Sequence, residues 1–186
     1  MLENLFNLVK EHAGSAIVSN PAIPNEQNDE AVASATSSIT DGIKNAIAGG
    51  NLQGVLSMFS GQSDAGSSPV SQEIQGNFVQ DLVSKFGMNQ SDATSTASGL
   101  IPNVLNKLVH KTNDPGDSSF DLQGIMNSLS GGSTSGFNIQ GLMDKFKGGL
   151  DKNGDGHVDM QDLTSLFQGG GSEGGGIMDK LKGLFS

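Results

Sequence analysis

The sequence contains no cysteine, no tryptophan and no tyrosine, and positive charge is scarce. Without cysteine, the chain can form no disulfide, no thiolate metal site and no thiol nucleophile. Lys and Arg number 10 against 20 Asp and Glu, which gives a net charge of −10. Because such a surface repels phosphate backbones, we expect no nucleic-acid partner. The charge balance favours cations, although it also serves solubility alone.

Long hydrophobic runs are missing as well. No segment approaches the roughly 18 uninterrupted apolar residues of a membrane-spanning helix. The first residues, MLENLFNLVKEHAG, have neither the basic leader nor the continuous apolar stretch of a Sec signal. We therefore expect no transmembrane segment and a cytoplasmic location, with export by a route that needs no such signal left open.

Glycine is abundant, at 27 of 186 residues, and it punctuates a helical apolar spacing. The residues at positions 2, 5, 6 and 9 predict one face of a first helix: Leu2, Leu5, Phe6 and Val9. A second helix is predicted from Glu26 to Ala48, capped by Asn25 and stopped by Gly49 and Gly50. No segment shows strand alternation, so we predict an all-α fold.

Two further helices follow a polar linker at residues 60–69. One carries apolar residues at helical spacing and ends at Gly87: Val70, Ile74, Phe78, Leu82 and Phe86. The next begins near Asn89, and Pro102 either kinks it or marks a new first turn. We expect N-terminal helices in 1–61, central helices in 62–112, an EF-hand-like pair in 113–170, and a Gly-rich linker with an amphipathic helix in 171–186.

A nine-residue motif recurs without gaps. Each copy opens with Asn or Asp, then places an apolar residue and Gln: NLQGVLSMF (51–59), DLQGIMNSL (121–129), NIQGLMDKF (138–146) and DMQDLTSLF (159–167). A partial copy, IMDKLKGLF, occupies 177–185. The pattern predicts short amphipathic helices whose first residue is an N-cap. Such a helix cannot bury its own apolar face, so the copies must pack on each other or on a partner.

The stretch LDKNGDGHVDMQDL, residues 150–163, follows the EF-hand calcium-loop pattern D-x-[DN]-x-[DN]-G-x5-E. Gly156 stands at the position of the turn glycine, and Val158 at the inward-facing apolar position. Ca²⁺ needs six to eight oxygen ligands, which alternating side chains on a tight loop direct to one centre. The predicted ligands are five side chains and one backbone carbonyl: Asp151, Asn153, Asp155, Asp159, Asp162 and, through its carbonyl, His157.

One position departs from the EF-hand pattern. Asp162 replaces the glutamate at the last ligand position, and its shorter side chain weakens bidentate coordination. The loop resembles those of dockerin-type modules, which also tend to carry Asp at this place. Calcium is therefore the predicted ion, with Mg²⁺ as the alternative.

A second, degenerate loop aligns at residues 113–124, which lie 38 residues before 151–162. It keeps Asn113, Asp117 and Asp121 at ligand positions, with Phe120 at the apolar position. Three other positions depart from the pattern. A ligand is replaced by Pro115, the turn glycine by Ser118, and the last ligand by Gly124. This segment is either a decayed partner that braces the working loop through Phe120 and Val158, or a chance similarity between two capped turns. In neither case do we expect it to hold a second tight calcium.

No catalytic pattern emerges. His12, His110 and His157 form no zinc motif, and two of them are expected on helix surfaces. The serines lie in linkers without a base and acid, and the glycine doublets lack the lysine of a phosphate loop. We therefore expect a protein without enzymatic activity.

The stretch from MLENLFNLVKEHAG through GLIPNVLNKLVHKTNDP resembles the YidB-like proteins, a bacterial family of unknown function, over about residues 1–125. Many members carry a Trp-containing motif near the C-terminus, which this chain lacks. The resemblance implies a helical body and brings no known activity.

Two classes of function remain. The chain is either a calcium-binding module whose ion orders the C-terminal helix pair for a protein partner, or a self-associating structural protein in which the ion is only a stabiliser. A third and weaker interpretation places the terminal segments LENLFNLV and IMDKLKGLF on a membrane surface. Their small size and the acidic chain argue against strong peripheral membrane binding.

Overall fold

The computed structural model describes residues 2–61, 64–114, 116–117, 119–129 and 141. All of them belong to the first of two units into which the chain divides, Met1–Met143. In these residues the chain forms α-helices and no strand, so the all-α prediction is confirmed. The helices are Leu2–His12 (α1), Asn28–Ala48 (α2), Leu52–Phe59 (α3), Pro69–Phe86 (α4), Gln90–Asn113 (α5) and Leu122–Leu129 (α6).

One hydrophobic core joins these helices. Helix α4 packs against both α2 and α5, and α1 packs against the same two helices. Among the most fully buried side chains are Ile39, Ile43, Ile74, Phe78 and Leu105. Residues of the predicted N-terminal and central regions therefore contribute to a single core.

The apolar face of α1 is only partly as predicted. Leu5 and Val9 are buried and Phe6 is half-buried, but Leu2 is 57% exposed. Leu8 is buried in its place. The prediction was wrong for Leu2 because this residue lies in the first helical turn, where no described element covers it.

Helix α2 begins two residues later than predicted. A 3-10 turn, Asn25–Gln27, precedes it, and no side chain caps either element. The predicted cap at Asn25 was therefore wrong, because this residue lies inside the tighter turn that leads into the helix. The predicted end is confirmed, since α2 stops at Ala48 and Gly50 adopts a positive φ of 84°.

Helices α4 and α5 match the sequence closely. Gly87 ends α4 in the left-handed conformation with φ 67°, as only glycine does without strain. The Asn89 side chain caps α5 by accepting a hydrogen bond from the Asp92 amide at 3.0 Å. Pro102 lies inside α5, which runs unbroken from Gln90 to Asn113, so it does not mark a new first turn.

The predicted polar linker is partly docked on α5. Ala65–Ser67 form a 3-10 turn in which Ala65 and Gly66 are buried. The Gly66 amide donates to Asp64 Oδ1 at 2.9 Å and to Asn106 Oδ1 at 3.3 Å. The interpretation of residues 60–69 as a linker misses this contact.

Candidate calcium-binding region

The predicted calcium loop lies outside the described residues. This holds for each predicted ligand: Asp151, Asn153, Asp155, His157, Asp159 and Asp162. The described part of the chain contains the two sequence elements to which that loop is related. These are the first copies of the repeated helix and the degenerate loop at 113–124.

The first two copies of the repeat form the predicted capped helices. Asn51 caps α3 by accepting a hydrogen bond from the Gly54 amide at 3.1 Å. Asp121 caps α6 in the same way, with its Oδ2 accepting from the Gly124 amide at 2.7 Å. Both helices are eight residues long and begin directly after the capping residue. In the third copy, Gly141 is also helical.

Both described copies pack on the long helices of the body. Helices α3 and α6 each contact α2, and α3 also contacts α4 and α5. Val55 and Phe59 of the first copy are buried, as are Ile125 and Met126 of the second. Their apolar faces are therefore covered within this chain. Eight residues are too few for an isolated helix to be stable in water, so this burial sustains them.

The residues retained at ligand positions of the degenerate loop form hydrogen bonds within the protein. Asn113 is the last residue of α5, and its side-chain amide donates to the backbone oxygens of Phe59 and Val109, each at 2.8 Å. Asp121 accepts from amides of its own helix. Phe120, at the apolar position, is buried. Its expected contact with Val158 involves a residue outside the described part of the chain.

Asp117, the remaining retained ligand position, forms an ion pair with a lysine that the sequence pattern did not indicate. The Lys111 ammonium lies 2.9 Å from Asp117 Oδ2. The second oxygen, Oδ1, accepts a hydrogen bond from the Ser119 amide at 2.9 Å. In the sequence, the only signal for this pair is a lysine in the last turn of the helix before an acidic turn.

These contacts bear on whether the turn can bind a metal ion. Among the described residues, no group of three or more His, Cys, Asp or Glu side chains is arranged to hold a metal ion. Both oxygens of Asp117 and both of Asp121 have protein partners. The expectation that 113–124 holds no second tight calcium stays a prediction, and this geometry supports it.

The ion pair gives the turn a defined response to acid. The hydrogen bond from Lys111, and then those from the Ser119 amide and hydroxyl, lower the pKa of Asp117 from 3.8 to about 2. Because the pKa is lower in the folded state, this stabilisation is complete above pH 3.8 and is lost as the pH falls towards about 2. We expect wild type to be more stable than Asp117→Asn at pH 6, and the difference to vanish across that acid window. Urea unfolding at pH 6, 4, 3 and 2 measures this, and a difference that is constant with pH would contradict it.

The two described histidines differ in their surroundings. His110 is exposed on α5, as expected for a helix surface. His12 is half-buried at the end of α1, and its Nε2 is enclosed without a hydrogen-bond partner among the described residues. His157 lies outside the described residues.

Comparison with known proteins adds no relative. No protein-family model, curated protein sequence or solved structure matches this chain. The resemblance of residues 1–125 to the YidB-like proteins therefore stays a prediction. Within the part of the chain that the structure describes, no helix combines the length and apolar character needed to cross a membrane.

Proposed function

We propose that this chain is a non-enzymatic calcium-binding protein in which the ion orders the C-terminal helix pair around residues 151–162 for interaction with another protein. The observation that carries the proposal is the ligand spacing in DKNGDGHVDMQD. Side-chain oxygens stand at all five side-chain ligand positions, a glycine stands at the turn, and an apolar residue stands at the plug position. The carbonyl of His157 completes the set.

The described copies of the repeat support the helix that follows this loop. In both, the first residue of the motif caps a helix that begins at the next residue. Asp159 is the first residue of the fourth copy, so we expect a helix to begin at Met160. The same aspartate is a predicted ligand, so the ion and the helix start would share one side chain.

Charge explains why an ion would be needed. Asp151, Asp155, Asp159 and Asp162 place four carboxylates within twelve residues. Carboxylates converging on one centre repel each other unless a cation or protons neutralise them. A divalent cation at neutral pH supplies that charge and satisfies the oxygens at once.

Titration calorimetry tests the proposal. We expect calcium to bind wild type at millimolar ion or below, and Asp151→Ala to lose most of the affinity. Asp41→Ala is the matched control, because Asp41 is an exposed residue of α2 and its loss removes the same charge. The proposal fails if wild type gives no calcium heat, or if Asp151→Ala binds as wild type does. Repeating the titration with Mg²⁺ distinguishes the two candidate ions.

Self-association is the second candidate function, and the repeat favours it. The described copies are eight-residue helices that depend on a covering surface. Copies at 138–146, 159–167 and 177–185 need such a surface too. If subunits provide it, the protein assembles and the ion is only a stabiliser. Light scattering coupled to size exclusion, with calcium and with chelator, separates the two: a monomer in both states favours the binding module, and large assemblies favour the structural protein.

A further inference from the structure

The acidic turn between α5 and α6 contacts a lysine of its own chain. Three aspartates lie within eight residues, Asp114, Asp117 and Asp121. Asp114 Oδ1 accepts from the Gly116 amide at 2.8 Å, and the Asp117 amide donates to the Asp114 backbone oxygen at 3.1 Å. These bonds fold the backbone back on itself. The Asp117 carboxylate in this turn meets a positive charge.

Lys111 supplies that charge from the last turn of α5. Its ammonium contacts Asp117, and the two side chains are only 31% and 20% exposed. The hydrogen bond and the charge of Asp117 raise the pKa of Lys111, and the charges of Glu11 and Asp114 raise it further. The carboxylate in contact with Lys111 is that of Asp117. A lysine here also opposes the negative end of the α5 dipole.

The closed turn positions the elements beyond it. The Asn4 side-chain amide of α1 donates to the Ser119 backbone oxygen at 3.0 Å. Phe120 and Leu122 enter the core directly afterwards. Helix α6 then packs against α2. Opening of the turn would break the Asn4–Ser119 bond that holds the segment before α6 against α1.

We infer that Lys111 is an internal counter-ion that takes the place of a metal ion, so that the turn at 113–121 closes without calcium. The aligned calcium loop differs at the equivalent position. With the 38-residue offset, Lys111 corresponds to Gly149 and Asp117 to Asp155, so the predicted calcium loop at 151–162 has no lysine at that place. This comparison rests on the proposed function, whereas the role of Lys111 does not. The lysine would explain why one acidic loop needs an ion and the other does not.

Hydrogen exchange in chelator tests the role of Lys111 independently of the predicted calcium loop at 151–162. We expect the amides of Asp117 and Ser119 to be protected in wild type in chelator and, when the chain carries Asp151→Ala, to be equally protected with and without calcium. In Lys111→Met their protection should fall about tenfold, as for the loss of one hydrogen bond to a charged group. Lys111→Arg retains the charge and should keep most of the protection. Lys107→Met is the matched control, because Lys107 is exposed on the same helix and forms no ion pair among the described residues.

A double variant separates charge balance from packing of the lysine stem. If Lys111 acts as a counter-ion, Lys111→Met/Asp117→Asn removes the unpaired carboxylate and should recover part of the protection lost in Lys111→Met. Amides of α4 report whether each variant remains folded. The inference is overturned if protection of the turn rises with calcium in the chain that carries Asp151→Ala, if Lys111→Met matches wild type, or if the double variant is no better than Lys111→Met. None of these results depends on whether residues 151–162 bind an ion.

Discussion

Replacement of Gly66 by alanine is expected to lower the free energy of unfolding by about 2 kcal/mol, the middle of the range for overpacking a close contact. A Cβ at this position would lie 2.6 Å from Pro102 Cβ, 2.9 Å from Pro102 Cα and 3.1 Å from its backbone oxygen. Two of these atoms belong to the backbone of α5 and cannot rotate away. The 3-10 turn Ala65–Ser67 would have to move off the helix, and burial of Ala65 would be lost with it.

Chemical denaturation of Gly66→Ala measures this effect. Gly99→Ala is the control, because Gly99 lies exposed within α5 and an added Cβ meets nothing within 4 Å. Alanine there should stabilise the protein by up to about 1 kcal/mol through its higher helix propensity. The two substitutions therefore have opposite expected signs. If Gly66→Ala is neutral or stabilising, residues 60–69 behave as the linker that their composition predicts.

Local patterns were sufficient to predict most of the helices. The start of α5 after Asn89 and the end of α4 before Gly87 depend on capping interactions within a few residues. The repeat predicted both α3 and α6, because Asn51 and Asp121 cap helices by bonding to amides three residues away. Such interactions join residues that are close in the sequence, so a sequence pattern can predict them.

Contacts between distant residues could not be predicted in this way. Gly66 and Pro102 are brought together by the fold, and nothing near Gly66 in the sequence indicates the contact. The exposure of Leu2 likewise depends on which elements reach the first turn of α1. Composition favours a linker at 60–69 because Ser, Gly and Asp are common in loops, whether or not the loop is docked.

In the degenerate loop, too, one feature could be predicted from the sequence and another could not. Its loss of ligand positions was evident from Pro115 and Gly124, but the ion pair between Lys111 and Asp117 was not predicted. Calcium-loop patterns count oxygen ligands and contain no place for a lysine on the preceding helix. The spacing therefore predicted where the acidic side chains lie without indicating which charge balances them.

Calcium is expected to stabilise the C-terminal part of the chain by a large amount, if the proposed site binds it. A ligand that binds only the folded state raises the free energy of unfolding by RT ln(1 + [L]/Kd), which is about 2.7 kcal/mol at a hundredfold excess over Kd. The repelling carboxylates of the empty loop give the physical reason. Helix content and melting temperature should both rise with calcium.

Hydrogen exchange with calcium and with chelator locates this effect. The increase in protection should fall chiefly within residues 138–167, which include the predicted calcium loop and the repeat copies on both sides of it. Asp151→Ala should abolish the increase, whereas Asp41→Ala should leave it intact. Amides in the core of α2 and α4 serve as internal references, because these two helices pack on each other within the described core.

The distribution of protection also decides what the ion does. If Asp159 both binds calcium and caps the helix from Met160, the largest gain should lie in the first turn of that helix, where a cap secures free amides. A gain confined to 151–158 would mean that the ion orders only the loop. Equal protection of 138–167 in calcium and in chelator would mean that the helix pair is already stable, and the proposal that calcium orders it for a partner would fail.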